Sequence, residues 1–209
     1  MRAGDTVASG ARVIWDTATA VILRPVMFFQ TMPKAGGFRA PFVFLLVIGL
    51  FDILLLSLFQ VVMVGPARGW EFATHALALA PLALTLSGFV LTTVFYMFWR
   101  LMGSSQSYET SYRTFVYSYA ISPVTTVMGF SPYLALVGYL WWFTLLIIGS
   151  VYVHGINRMK ATVVFAILAM ALMVFLARLE RYAMHHGLAQ ALSEQGYPVA
   201  KPASRTEPI

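Results

Sequence analysis

Asp52 poses the first chemical question. It lies between Phe51 and Ile53, in the middle of the apolar stretch Pro41–Val64. A charge in such a place costs roughly 2.5–3.5 kcal/mol on membrane-insertion scales, so the carboxyl must face protein, find a partner or hold a proton. Two readings follow. In one, Asp52 is a proton or cation site, or a gate. In the other, it is a neutral acid hydrogen-bonded to a Ser, Thr or Tyr of a neighbouring helix. Gln60 stands eight residues further on, on roughly the same helical face, and marks that face as buried against protein. The stretch Thr114–Phe130 is the wettest apolar run, with Ser118, Ser122, Thr125 and Thr126. Pro123 removes a backbone donor one turn beyond Tyr119, and the freed carbonyl must be satisfied by a neighbour. Such a kink either lines a cavity or simply packs. Asp52, Gln60, Tyr117, Tyr119 and Pro123 are therefore the candidate polar pocket or pathway.

A second constellation is basic. Arg100 and Arg113 bracket a Gly/Ser-rich loop, Gly103–Ser107. Glu109 precedes Arg113 by four residues, the favourable order for a helical ion pair. His154 opens another short loop that carries Asn157, Arg158 and Lys160. The plain reading is a salt bridge plus interfacial anchors. The sharper one is a site for lipid phosphate or a partner's acidic groups, which a guanidinium fork suits. Arg100, Glu109, Arg113, His154, Asn157, Arg158 and Lys160 are the candidate lipid or partner contacts. Metal and cofactor sites are not expected: there is no cysteine, and a lone histidine falls short of the three or four ligands zinc takes. No nucleophile elbow, Walker loop, HExxH or GxGxxG is present. Asp52 is the sole acid within an apolar span, so a carboxylate pair is excluded too. The chain is expected not to be an enzyme. Trp141 and Trp142 read as packing anchors or lipid contacts.

The elements that hold these residues are set by composition. Of 209 residues, 59% are hydrophobic and 11% charged, against about 25% charged in soluble domains. Lipid is the solvent such a chain requires. A crossing helix needs about 20 apolar residues, and five stretches qualify: Pro41–Val64, Ala76–Trp99, Thr114–Phe130, Tyr133–Val153 and Ala161–Ala177. The expected fold is all-α, a polytopic membrane helical bundle of about five transmembrane helices plus an N-terminal amphipathic helix. Residues 1–40 form the N-terminal segment, 41–179 the membrane domain and 180–209 a polar, unstructured tail. Within the first segment Val7, Ala11, Ile14, Ala18 and Ile22 recur at helical spacing. That helix either lies on the membrane with Trp15 at headgroup depth or docks on the spans. The bias of Lys and Arg places the N-terminus in the cytoplasm and the C-terminus outside. The net charge of +6 is scattered among apolar runs and reads as contact with anionic lipid, not nucleic acid.

The run Leu101-Met-Gly-Ser-Ser-Gln-Ser-Tyr-Glu-Thr-Ser-Tyr-Arg-Thr-Phe-Val-Tyr-Ser-Tyr-Ala-Ile-Ser-Pro123 resembles the Yip1 domain family. So do His154-Gly-Ile-Asn-Arg-Met-Lys-Ala161 and the lead-in Pro25, Phe28-Phe29, Met32-Pro33. The likeness covers roughly Pro25 to Ala177. By matching position, Glu109, Tyr117, Ala120, Pro123, His154, Gly155 and Lys160 are residues of the family pattern. The resemblance implies five spans and a cytoplasmic N-terminus. Eukaryotic members bind Rab GTPases and act in membrane traffic and shaping. This chain, with its short lead-in, looks like a bacterial-type member of a cytoplasmic (inner) membrane. The expected role is a non-catalytic organiser that recruits anionic lipids or membrane and cytoplasmic protein partners, with homo-oligomers among them. The competing role is a small transporter, channel or lipid scramblase built on Asp52 and the polar third span.

Overall fold

In the computed structural model the described residues run from Ala3 to Glu194, and among them all regular structure is helical. Two short helices lead in, α1 (Ala3–Leu23) and α2 (Pro25–Thr31). Pro25 opens α2, where a missing backbone N–H is tolerated. Ala18 and Val21 are buried, and α1 packs on α2 and on the segments Tyr108–Ser118 and Tyr119–Ile121. The C-terminal half of α1 is thus docked on protein. Trp15, on another face, stays 69% exposed.

A long hairpin follows, α3 (Arg39–Val64) and α4 (Pro66–Leu101). Gly65 turns the chain with φ of +101°, a conformation that suits glycine. The arms touch closely: a Cβ on Gly69 would stand 2.4 Å from the Val61 backbone. On α3 the buried positions are Ser57 and, earlier in the helix, Pro41, Phe44, Leu45, Ile48 and Gly49. Asp52 continues that stripe one turn later, which explains why its carboxyl points inward.

The third apolar stretch is not one helix. It consists of α5 (Tyr108–Ser118), a 3-10 turn (Tyr119–Ile121) and α6 (Ser122–Met128). Pro123 sits at the start of α6, where it ends the regular pattern before it. Inside α5 the hydroxyls of Thr114 and Ser118 donate back to the carbonyls of Thr110 and Thr114, a bonding mode that bends helices. The described residues therefore hold four helices long and apolar enough to cross a membrane: Arg39–Val64, Pro66–Leu101, Tyr133–Tyr152 and Arg158–Leu179. The expected count of five spans becomes four long helices and one broken one.

The last elements are α7 (Pro132–Tyr152) and α8 (Arg158–Glu194). The broken helix runs antiparallel to α7: Thr114 lies against Gly149 and Thr125 against Gly138. Contacts group the chain into a unit ending at Ala166 and a second beginning at Ile167. In the first unit Ala161 and Phe165 of α8 are buried. The helix continues to Glu194, into the segment expected as a tail; residues 195–209 lie outside the described residues. Large apolar side chains face outward, Leu58, Leu82, Val90 and Met97 among them, each about three-fifths exposed. Apolar surface on this scale needs lipid or a partner to cover it.

Candidate functional site

Asp52 meets the broken helix where it breaks. The hydroxyl of Tyr119 donates to Oδ2 at 3.2 Å, and Ser122 donates to the same oxygen. Thr126 donates to Oδ1 at 2.5 Å. Tyr119, Ser122 and Thr126 stand at i, i+3 and i+7, so the turn and α6 present one hydroxylated face to α3. Three hydroxyls thus face the one carboxyl group. No cation reaches it: the ion pairs among the described residues are Arg12–Asp16 and Arg113–Glu109.

Beside this cluster is a cavity of about 290 Å³. Its polar wall is Asp52, Tyr119, Ser122, Thr125 and Thr126. Its aromatic wall adds Phe115 from α5 and Tyr139 and Trp142 from α7, and Leu91 and Ile121 complete it. The buried indole N–H of Trp142 has no hydrogen-bond partner among the described residues.

The structure brings together two of the five candidate pathway residues as lining, Asp52 and Tyr119, and places Pro123 where it sets the break. Gln60 is not part of the cavity wall. Tyr117 belongs to a different cluster, edge-on to Phe28 at 5.3 Å and to Phe44 at 5.1 Å. Sequence reasoning did not assign Phe115, Ser122, Thr126, Tyr139 or Trp142 to the site. A signal was there for two pairs: Ser122 and Thr126 are four apart, and Tyr139 and Trp142 three apart, so each pair shares a helix face.

The basic constellation forms a separate cluster. Arg113 is 4% exposed and its fork is committed inward. Nη2 donates to the Gly37 carbonyl at 2.6 Å, Nη1 reaches the Pro33 carbonyl at 3.5 Å, and Nε meets Glu109 at 3.3 Å. Glu109 accepts from the Gly37 N–H at 2.7 Å, and Thr110 donates to the Lys34 carbonyl at 2.9 Å. Arg113 thus clasps the 33–37 loop onto α5 and is not presented to lipid.

His154 is also buried. It stacks on Trp99 with ring centroids 4.1 Å apart, and its Nδ1 is 2.9 Å from the Ser104 hydroxyl. Burial, with Lys34 nearby, pushes its pKa down to about 3, so it is neutral at neutral pH. Asn157 accepts from the Met159 N–H at 2.9 Å and caps α8. Arg100, Arg158 and Lys160 are exposed; Arg100 also donates to the Ser104 carbonyl at 3.2 Å. These bonds join the 33–37 loop, the start of α5 and the loops after α4 and α7 at one end of the helices. Among the described residues no group of three or more metal-ligating side chains occurs.

The model of the Yip1 domain matches residues 19–179. The chain belongs to the Yip1 family. That match runs from the last turn of α1 through α2, the hairpin, the broken helix and α7 to the apolar part of α8, and with the apolar helices it makes this Yip1 protein an integral membrane protein. Comparison with curated proteins and with solved structures gave no match.

Proposed function

We propose that this Yip1 protein acts by docking and not by covalent chemistry, holding anionic lipid or an acidic protein partner at the end where its loops meet. The observation that carries this reading is the cluster of exposed cations there: Arg24, Lys34, Arg39, Arg100, Arg158 and Lys160 all lie open, beside loops tied by Arg113, Thr110 and Ser104. Each Lys or Arg near an anionic surface contributes about 1 kcal/mol. By the same charge bias this end faces the cytoplasm of a bacterial inner membrane, with the N-terminus inside and the C-terminus outside. Self-association through the outward apolar faces fits an organising role.

Native mass spectrometry of the full chain tests the lipid claim. Phosphatidylglycerol should be retained on the wild type and lost from an Arg100→Ala, Arg158→Ala, Lys160→Ala triple variant; equal retention sinks it. Orientation can be read by single cysteines placed at the exposed positions 105 and 159, since the chain has none of its own. Labelling from outside intact cells would reverse the assignment.

One observation favours a second reading, passage of a solute: the cavity beside Asp52. Flux through proteoliposomes that Asp52→Asn leaves unchanged would remove that residue from any pathway.

A further inference from the structure

We propose that the Asp52 cavity is a binding site for a small organic cation, an alkylammonium group. The inference deepens the second reading, because it names what the cavity holds, but it does not require that anything cross the membrane.

The argument is one of matched donors and acceptors. The hydroxyl protons of Tyr119, Ser122 and Thr126 are turned toward Asp52, and that of Thr125 toward the Ile121 carbonyl at 3.2 Å. What these groups leave for the cavity is lone pairs. A carboxylate has about four lone-pair positions, and three are filled here. Asp52 remains partly exposed, and neither ion pair among the described residues involves it.

The rest of the wall is aromatic. Phe115, Tyr119, Tyr139 and Trp142 line the same space, and aromatic rings attract a positive charge. Lone pairs, aromatic rings and one acid make most of the wall electron-rich, with the indole N–H of Trp142 and the hydroxyl of Tyr139 as its donors. An anion is thereby disfavoured.

Size and chemistry then separate organic from inorganic cations. A hard ion such as calcium takes six to eight oxygen ligands at about 2.3–2.6 Å. The 290 Å³ space has mostly carbon walls and is near the lower end of small-molecule sites, roughly 300–1,000 Å³. An ammonium carrying a few carbons satisfies the acid, the rings and the carbon surface together.

The test uses the full-length protein in dodecyl maltoside and reads tryptophan fluorescence and the thermal midpoint. Choline and its neutral isostere 3,3-dimethylbutan-1-ol are titrated at constant ionic strength. Choline should saturate and bind about tenfold tighter than the isostere or tighter still. Asp52→Asn should abolish that preference, Trp142→Leu should weaken choline by about tenfold, and Asp52→Glu should keep the preference. Equal binding of choline and isostere, or the same choline affinity in wild type and Asp52→Asn, overturns the proposal. So does saturation by sodium chloride alone at the same midpoint as choline. Should Asp52→Asn fail to fold, the isostere comparison and Trp142→Leu still decide. Repeating the titration in phosphatidylglycerol and in phosphatidylcholine nanodiscs assigns the source of the group. Competition by phosphatidylcholine points to a lipid headgroup, and its absence to a free solute. Flux is measured separately: choline bound but not transported removes the pathway and leaves the site standing.

Discussion

Arg113 and Asp52 are both charges held among helices, and the protein treats them oppositely. Arg113 is surrounded: an acid and two carbonyls take its fork, and a loop closes over it. Among the described residues Asp52 is bonded by hydroxyls alone, and it faces a cavity. The first arrangement joins parts of the chain that are far apart in sequence. The second satisfies most of a carboxylate without consuming its charge. A charge that only stabilises is normally neutralised by its neighbours, so the difference separates a structural ion from one still able to attract something.

The largest effect should come from breaking the neutralised site. Arg113→Met leaves two carbonyls without their donor and Glu109 with the Gly37 N–H alone, and breaking a buried pair costs about 3–5 kcal/mol. Denaturation by SDS in mixed micelles should show it. A loss no larger than that of Asp52→Asn would erase the contrast.

The next effect is pH dependence at the same end. His154 is held neutral when folded, with its pKa pushed from 6.5 down to about 3. Above pH 6.5 both states are neutral there and stability is complete. Below it the unfolded chain takes a proton that the folded chain refuses, so stability falls until about pH 3. Thermal midpoints between pH 7 and 4 should drop in the wild type, and the slope should flatten in His154→Gln.

A smaller effect comes from two glycines on α7. A Cβ on Gly149 or on Gly138 would sit 2.6 Å from Thr114 or Thr125 respectively. Thr114 is fully buried, whereas Thr125 borders the cavity and has room to turn. Gly149→Ala should cost about 1–3 kcal/mol and Gly138→Ala less than about 1 kcal/mol; equal costs would mean that the cavity wall is as rigid as the dry end. Smallest of all, Asp52→Asn should shift stability by no more than about 1 kcal/mol, because an amide oxygen still accepts from two of the hydroxyls. A collapse of the fold on that change would make Asp52 a structural residue like Arg113.

Much of this contrast was legible in the residues. Long uncharged runs declared the helices, and an acid among Phe51 and Ile53 declared its need for partners. The i, i+4 order of Glu109 and Arg113 foretold their pair. What could not be read was tertiary. The Arg113 partners Pro33 and Gly37 offer backbone carbonyls, which leave no mark in a sequence. Burial of His154 depends on Trp99 and Ser104 arriving from another element. The third stretch looked like a short span because its apolar count was adequate; its Ser and Thr hydroxyls bond to their own backbone and, with Pro123, divide it. Trp142 read as packing because one helix alone cannot reveal a void beside it.

The hairpin has arms of unequal length, 26 residues in α3 and 36 in α4. Both start from the turn at Gly65, so α4 overshoots its neighbour by ten residues, or about 15 Å of rise. Beyond that overlap Trp99 of α4 donates to the Ser150 hydroxyl of α7 and stacks on His154. The 33–37 loop is held on α5 by Arg113 and Thr110, and α2 packs on α7. Cutting the chain before Arg39 would strip Thr110 and Arg113 of the carbonyls of Lys34, Pro33 and Gly37, which no lipid tail can replace.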